Sequence, residues 1–163
     1  MRTIIFAGGG TAGHVEPALA VAGQWMRENP ADKCIFIGTS EGLETSLVPA
    51  AGFTLRTIKK VALARRFSPG LLLLPLHLLQ AVMQARSIIK GSSLLIGFGG
   101  YVSAASYLAA KSSGVPIVIH EANARPGIAN RLGTRFTSAL AVSTPVQRGA
   151  FSGALITGMP LKS

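Results

Sequence analysis

Glycines and a histidine stand together near the N-terminus, in the segment GGGTAGH at residues 8–14. The segment follows the apolar run 4–7 and precedes a helical pattern that opens near Pro17. A glycine turn between a strand and a helix N-terminus presents backbone N–H groups and attracts anions. An imidazole titrates near neutral pH and can accept a proton from an attacking hydroxyl. We therefore predict a phosphate-bearing ligand at this turn, with chemistry at His14. A turn without a ligand, with His14 as a helix cap, is the alternative.

Two later segments carry the same kind of residue. GFGG at 97–100 is followed by Tyr101, and the polar run HEAN occupies 120–123. Tyr101 fits either core packing or the lining of a cleft, and His120 fits a structural role at the end of a buried strand. Glu121 and Asn123 fit either a ligand site or the cap of a helix that starts near Pro126.

Strands and helices that alternate along the chain must position these segments. The sequence predicts strands at about 2–7, 33–38, 53–58, 93–98, 115–119, 138–142 and 154–157, and helices at about 16–28, 42–51, 70–90, 101–113 and 126–136. Alternation of this kind is typical of βαβ units, and strands that are apolar throughout indicate a sheet covered on both faces. The predicted fold class is α/β, a Rossmann-like parallel sheet with helices on both faces. Segments 8–14, 97–101 and 120–127 should then converge beyond the carboxyl ends of the strands.

The composition limits the classes of partner. The 163 residues suffice for one domain with its own core, and 16 Lys and Arg against 6 Asp and Glu give a net charge of +10. This excess favours anionic partners such as phosphates, nucleic acid or an acidic membrane surface. The single cysteine, Cys34, is expected to be a buried apolar residue in a reducing compartment. We expect no signal peptide, because residues 1–3 lead directly into a strand and the glycine turn. We expect no membrane span, because the longest apolar run, 71–79, is too short.

A basic segment precedes that apolar run. Arg56, Lys59 and Lys60 are followed by Arg65 and Arg66 without an acidic residue between them. Cations beside exposed apolar side chains suit an anionic membrane surface. A solvated basic loop beside a buried helix face is the alternative. The residues predicted to contact the membrane are Arg65, Arg66, Phe67, Leu71 and Leu72.

Four ordered segments resemble the MurG family of N-acetylglucosaminyltransferases, and together they cover nearly the whole chain. Residues 9–20, GGTAGHVEPALA, are similar to the family signature GGTGGHxxPALA. GFGGYVS at 97–103 also resembles the family, as does HEAN at 120–123, where many members have HEQN. GMPLK at 158–162 is similar to the family's GNPVR. The departures are Ala12 for glycine, Ala122 for glutamine, Met159 for asparagine and Lys162 for arginine, the last of which keeps the charge but loses the bidentate fork.

The resemblance implies the N-terminal half of a two-domain GT-B glycosyltransferase. Residues 1–158 would form the acceptor-binding domain, and 159–163 would begin the linker to a C-terminal donor-binding domain. The implied reaction is an inverting transfer of N-acetylglucosamine from UDP-N-acetylglucosamine to undecaprenyl-linked lipid I, which gives lipid II in peptidoglycan synthesis. No cofactor or metal is expected, and this half should be inactive alone. The family is peripheral to the cytoplasmic face of the bacterial membrane.

The resemblance also assigns roles to residues. His14 would be the base or would orient the acceptor, Glu121 would be a polar group at the catalytic site, and Asn123 would contact the donor sugar. The full set of expected substrate contacts is Gly10, Thr11, Ala12, Gly13, Gly99, Gly100, Tyr101, Asn123 and Lys162.

Two other functions remain open on the residues alone. Gly8, Gly10 and Gly13 also satisfy the dinucleotide-binding fingerprint of an oxidoreductase, although the segment GTS at 38–40 lacks the acid expected after the second strand. A non-catalytic module could instead dock on membranes or nucleic acid through its charge. Nucleic acid is not expected as a partner, because few aromatic residues accompany the basic ones.

Overall fold

The computed structural model describes residues 1–61 and 74–161. The predicted membrane residues Arg65, Arg66, Phe67, Leu71 and Leu72 lie outside the described residues, as does the predicted ligand contact Lys162. The elements in chain order are β1 (Thr3–Ala7), α1 (Ala12–Glu28), β2 (Lys33–Gly38), α2 (Glu44–Ala50), β3 (Thr54–Thr57), α3 (Leu74–Ile89), β4 (Leu94–Gly97), α4 (Tyr101–Ser113), β5 (Ile117–Glu121), α5 (Ile128–Gly133), β6 (Leu140–Val142) and β7 (Leu155–Ile156).

The described strands form one parallel sheet in the order β3-β2-β1-β4-β5-β6-β7. The central strand β1 pairs on one side with β2, where Ile5 faces Ile35, and on the other side with β4, where Ile5 faces Leu95. The direction of winding reverses between β1 and β4, and a ligand crevice is expected outside the carboxyl ends of strands at such a switch point. The predicted Rossmann-like fold class is confirmed.

Side chains that alternate along the strands build two cores, one on each face of the sheet. Ile4 and Phe6 of β1 pack with α1 and α2, and the stacked rings of Phe6 and Phe36, 5.1 Å apart, run through this layer. Ile5 and Ala7 of the same strand point to the other face, where α3 and α4 cover the sheet. Among the described residues, no helix combines the length and the hydropathy needed to cross a bilayer.

Two boundaries differ from the predicted ones in ways that matter for the site. Helix α1 begins at Ala12 rather than near residue 16, so His14 lies in its first turn and Pro17 lies inside the helix. Strand β5 ends at Glu121 rather than near residue 119, so His120 and Glu121 belong to the strand instead of the following turn. The polar residues of 120–121 pair with Ala141 and Val142 of β6, and this pairing extends the strand beyond its apolar part.

The end of α5 is packed too closely for a side chain at Gly133. A Cβ there would lie 2.5 Å from Cδ1 of Ile119 and 2.8 Å from the ring of the buried Tyr107. Gly23 lies inside α1, and a Cβ there would meet only Nη1 of Arg27, at 3.8 Å. Alanine substitutions at these two helical glycines should therefore have opposite effects.

We expect Gly133→Ala to lower the free energy of unfolding by about 1–3 kcal/mol, because the added methyl group overpacks the contact between α5 and β5. Gly23→Ala should raise it by about 0.5–1 kcal/mol, because alanine favours the helix without a clash. Urea denaturation followed by circular dichroism measures both. Equal effects at the two sites would contradict the packing of α5.

Candidate functional site

The predicted segments meet in one pocket at the carboxyl ends of β1, β4 and β5. The cavity has a volume of about 330 Å³, and five residues from the expected site line it, namely His14, Gly99, Gly100, Tyr101 and Glu121. Helix α5 closes the opposite wall with Ile128, Ala129 and Leu132. We call this cavity the His14 pocket. It combines a mainly apolar wall with one imidazole and glycine backbone.

The hydrogen bonds of His14 determine which of its nitrogens is free. Nδ1 lies 3.2 Å from the carbonyl oxygen of Gly9 and 3.1 Å from Oγ1 of Thr11. Because a carbonyl oxygen only accepts, the bond to Gly9 requires the proton on Nδ1. The neutral ring then has an unprotonated Nε2 next to Gly99, where a Cβ would stand 3.0 Å away. The ring is therefore held in the tautomer that a proton acceptor at Nε2 needs.

The β4–α4 loop can approach His14 only because it contains glycine. Gly99 and Gly100 have φ angles of +102° and +84°, a region that other residues rarely adopt. A Cβ at Gly100 would lie 2.8 Å from the Gly9 carbonyl oxygen. The buried hydroxyl of Ser103 accepts the Gly99 N–H at 3.1 Å and lies 2.8 Å from the carbonyl oxygen of Ala7, which ties this loop to β1.

Glu121 is buried, and its carboxylate holds the β5–α5 turn. Oε1 accepts from the backbone N–H and the side-chain amide of Asn123, at 2.8 and 3.0 Å. Oε2 accepts from the N–H of Gly127 at 3.0 Å and from Nδ2 of Asn130 at 2.9 Å. Gly127 precedes the first residue of α5. These bonds agree with the alternative in which Glu121 holds the start of the following helix, and its predicted catalytic role stays a prediction.

Asn130 connects Glu121 to the core. Its Oδ1 accepts from the hydroxyl of Tyr107 at 2.7 Å, and both side chains are fully buried. Burial raises the pKa of Tyr107, so this hydroxyl remains a donor. No sequence pattern indicates this pair, because asparagine is usually exposed.

Glu44 is the acid that the sequence analysis missed. Its side chain is fully buried, and its carboxylate accepts from the N–H of Gly10 at 3.0 Å and from the N–H of Thr39 at 2.8 Å. The Thr39 hydroxyl donates to it at 3.1 Å. Burial alone would raise the pKa of Glu44, but the hydrogen bonds from Gly10 and Thr39 hold that pKa below its ordinary value. A signal existed in the sequence: Glu44 precedes the buried Val48 by four positions, so both share the apolar face of α2.

The other expected contacts lie around the pocket rather than in it. Thr11 reaches Nδ1 of His14, while Ala12 and Gly13 line a neighbouring groove with Met159 and Pro160. Asn123 is exposed beside Glu121. Within residues 1–61 and 74–161, no three His, Cys, Asp or Glu side chains are grouped so that they could hold a metal ion.

His120 is not among the residues that line the His14 pocket, and its contacts are structural. Its Nε2 is 3.3 Å from the carbonyl oxygen of Gly158, and its ring packs on Phe98 with centroids 5.6 Å apart. Burial lowers the pKa of His120. The ring therefore joins β5 to the segment after β7 in its neutral form.

Comparison with known proteins assigns the family. Residues 4–142 match the glycosyltransferase family 28 N-terminal domain. The chain belongs to this family. It is 48% identical, over 99% of its length, to the UDP-N-acetylglucosamine--N-acetylmuramyl-(pentapeptide) pyrophosphoryl-undecaprenol N-acetylglucosamine transferase of Frankia casuarinae, and it covers 43% of that protein. The Streptomyces avermitilis protein of the same name is 47% identical over 98% of the chain, which covers 44% of it.

A solved structure agrees with this assignment. The crystal structure of Acinetobacter baumannii MurG matches with a TM-score of 0.82 and 28% identity, over 100% of this chain and 46% of that one. The family 28 domain therefore spans less than half the length of the relatives that it matches. The predicted resemblance to the MurG family is confirmed.

The dinucleotide alternative loses support in the family 28 domain. In a dinucleotide-binding turn the glycine N–H groups face a pyrophosphate. Here the Gly10 N–H is bound by Glu44, and a Cβ at Gly9 would lie 2.6 Å from Oε1 of the same carboxylate. The turn holds an internal anion at Gly10, so the predicted phosphate contact at that N–H is replaced by a protein carboxylate.

Glu44→Gln tests the importance of this carboxylate. The amide keeps the shape but turns an N–H₂ group toward a backbone N–H, so we expect the free energy of unfolding at neutral pH to fall by about 2–3 kcal/mol. Because the pKa is lowered in the folded state, the stabilisation is complete above the unfolded value of about 4.3 and is lost as the pH falls through the folded value. The difference between parent and variant should therefore shrink on acidification, as measured by urea denaturation across pH.

Glu41→Gln is the matched control, since Glu41 is exposed and pairs with Lys60 at 3.0 Å. It should change the stability by less than about 0.5 kcal/mol. A Glu44→Gln effect that is as small, or that does not vary with pH, would show that the carboxylate is not ionised in its buried position.

Proposed function

We propose that the chain is the acceptor-binding half of an enzyme that transfers N-acetylglucosamine from UDP-N-acetylglucosamine to undecaprenyl-linked lipid I, giving lipid II for peptidoglycan. Residues 1–158 form that half in this proposal, and 159–163 lead toward a donor-binding half. The names of the Frankia and Streptomyces relatives support the reaction. The observation that carries the proposal is the His14 pocket, a mainly apolar cavity that His14 lines while its Nδ1 contacts the Gly9 carbonyl oxygen.

His14 acts as the general base. Nε2 takes the proton of the muramoyl 4-hydroxyl while that oxygen attacks the anomeric carbon of N-acetylglucosamine. The bond from the anomeric carbon to the UDP oxygen breaks with inversion, and UDP leaves with the bonding electron pair. The Gly9 carbonyl oxygen on Nδ1 stabilises the imidazolium that forms.

The remaining site residues position the substrates. Gly99, Gly100 and Tyr101 line the acceptor side, and Tyr101 is half exposed at the start of α4. Asn123 faces the donor sugar and is oriented by Glu121, which accepts its side-chain N–H. In this proposal Glu121 positions the turn, because all its hydrogen bonds go to that turn and to α5. We propose that Lys162 is a further substrate contact.

We propose a peripheral location on the anionic cytoplasmic face of the membrane. Helix α3 follows the basic segment and exposes a stripe of large apolar side chains, Leu76, Leu79 and Met83, each half exposed or more. Their spacing of three and four residues places them on one helix face. In this proposal the stripe supplies the apolar contact with the membrane, and Arg65 and Arg66, which precede α3 in the sequence, supply positive charge.

The role of His14 is tested in a chimera that joins this chain to the C-terminal half of the Frankia relative. With a lipid I analogue as acceptor, His14→Ala should lower kcat by roughly 10²–10⁴, the range for loss of a general base, and should leave the KM for UDP-N-acetylglucosamine unchanged. The chain alone should give no turnover. His77→Ala, which removes a histidine of α3, is the control and should keep kcat.

Two results would contradict the proposal. Turnover by the chain alone would refute the division into acceptor and donor halves. A kcat for His14→Ala close to that of the parent would make His14 a structural cap and move the base elsewhere.

Membrane contact is tested by sedimentation with anionic vesicles. Arg65→Glu combined with Arg66→Glu, and separately Leu79→Glu combined with Met83→Glu, should each reduce binding, and raised salt should weaken binding by the parent because exposed charges are screened within about 8 Å. Leu155→Glu is the control, since this leucine is equally exposed on β7. If both double variants, folded by circular dichroism, bind like the parent, the contact lies on another surface.

A further inference from the structure

Three arginines line a groove next to the His14 pocket. Arg125 lies in the β5–α5 turn, Arg131 on α5, and Arg148 in the segment after β6. The groove has a volume of about 940 Å³, and the buried Phe151 forms part of its floor. We call it the arginine groove.

The guanidinium groups of the arginine groove have no partner among the described residues. The ion pairs of that part of the chain join Arg2 to Asp32 and Lys60 to Glu41. Glu121, at the end of β5, does not compensate, since its carboxylate is buried and bonded to the β5–α5 turn and to α5. Three like charges that line one groove without a counter-charge favour an anionic ligand, and guanidinium groups bind carboxylate or phosphate oxygens with two parallel hydrogen bonds.

Helix α5 separates the arginine groove from the His14 pocket. Ile128 and Leu132 face the pocket, whereas Arg131 and Thr134 face the groove. The turn 124–127 borders both cavities, through Arg125 and Pro126 on one side and Gly127 on the other. A helix is about 10 Å across with its side chains, and five extended residues span up to about 17 Å. A peptide attached to a sugar in the pocket is therefore long enough to reach the arginines.

A lipid surface fits the groove less well. Cations that dock on a membrane usually stand beside exposed apolar side chains. None of the large exposed apolar residues of the described chain lines the arginine groove, and the stripe Leu76, Leu79 and Met83 lies on α3 instead. The concave shape and the shared turn favour a ligand that continues from the pocket.

We infer that the arginine groove binds the carboxylates of the acceptor's peptide, including the carboxylate at its C-terminus. The inference rests on the proposed function, in which the acceptor is an N-acetylmuramyl-pentapeptide. The sugar lies against His14, the peptide crosses the turn 124–127, and its carboxylates meet Arg125, Arg131 and Arg148. The groove contributes to acceptor affinity and leaves the chemical step to the pocket.

Kinetics in the Frankia chimera test the inference with two acceptors, a lipid I analogue with its pentapeptide and the same analogue without peptide. The triple variant Arg125→Gln, Arg131→Gln, Arg148→Gln should raise the KM for the pentapeptide acceptor by about 10-fold or more, with kcat nearly unchanged. For the acceptor without peptide, KM should be the same in parent and variant. Arg135→Gln, outside the groove, is the control and should change neither.

Three results would overturn the inference. An equal loss for both acceptors would place the arginines on the sugar or the pyrophosphate. Unchanged kinetics with weaker binding to anionic vesicles would make the groove a lipid site. Unchanged kinetics and vesicle binding would leave the groove without a ligand role.

A direct measurement separates this inference from the proposed function. Free pentapeptide is added to the ¹⁵N-labelled chain, and the arginine Nε–H resonances are followed by NMR. The signals of Arg125, Arg131 and Arg148 should shift, and a pentapeptide with an amidated C-terminus should shift them less. If the parent chimera fails to transfer sugar but these shifts occur, the proposed function is contradicted and peptide binding in the arginine groove is supported. If transfer occurs without the shifts, the proposed function is supported and peptide binding in the arginine groove is contradicted.

Discussion

The hydrogen bonds between the Glu44 carboxylate and the N–H groups of Gly10 and Thr39 hold the site together. Both N–H groups lie beyond the ends of strands, where no neighbouring strand can accept from them, and a buried N–H without a partner is costly. By binding both, Glu44 joins the β1–α1 loop to the β2–α2 loop. The position of the Gly9 carbonyl follows, and that carbonyl fixes the tautomer of His14. The orientation of His14, the proposed base, thus depends on Glu44, a buried acid that does not contact the substrate in this proposal.

Glu121 performs the same task on the other side of the switch point. Its carboxylate accepts hydrogen bonds from Gly127 in the β5–α5 turn and from Asn130 of α5. Asn130 in turn accepts from the hydroxyl of Tyr107 in the core. Because α5 forms one wall of the His14 pocket and one wall of the arginine groove, Glu121 sets the spacing of the two cavities. Two buried carboxylates, each at the end of a strand, therefore define the site on a chain whose net charge is +10. Neither carboxylate pairs with Arg125, Arg131 or Arg148, the three arginines of the arginine groove.

The fold was predictable because it depends on patterns that sequence displays directly. Apolar strands that alternate with helical periods predict a doubly covered parallel sheet, and glycines after β1 and β4 mark the crevice. The sequence places the start of α1 too late because proline favours the first turn of a helix, whereas Pro17 lies inside α1. Glu44 escaped prediction because its partners are backbone groups that sequence does not distinguish. Glu121 was identified, but its hydrogen bonds to Gly127 and Asn130 depend on a turn that only the structure shows.

An NMR titration of the ¹⁵N-labelled chain with a soluble acceptor analogue that carries the N-acetylmuramyl pyrophosphoryl group tests the acceptor-binding assignment most directly. The amide signals of Gly99, Gly100, Tyr101 and Ile128 should shift, because these residues line the His14 pocket. The amides of β3, at the far edge of the sheet, should not move, and UDP-N-acetylglucosamine alone should leave the pocket signals in place. Shifts caused by UDP-N-acetylglucosamine but not by the acceptor analogue would contradict the assignment and make this half the donor site.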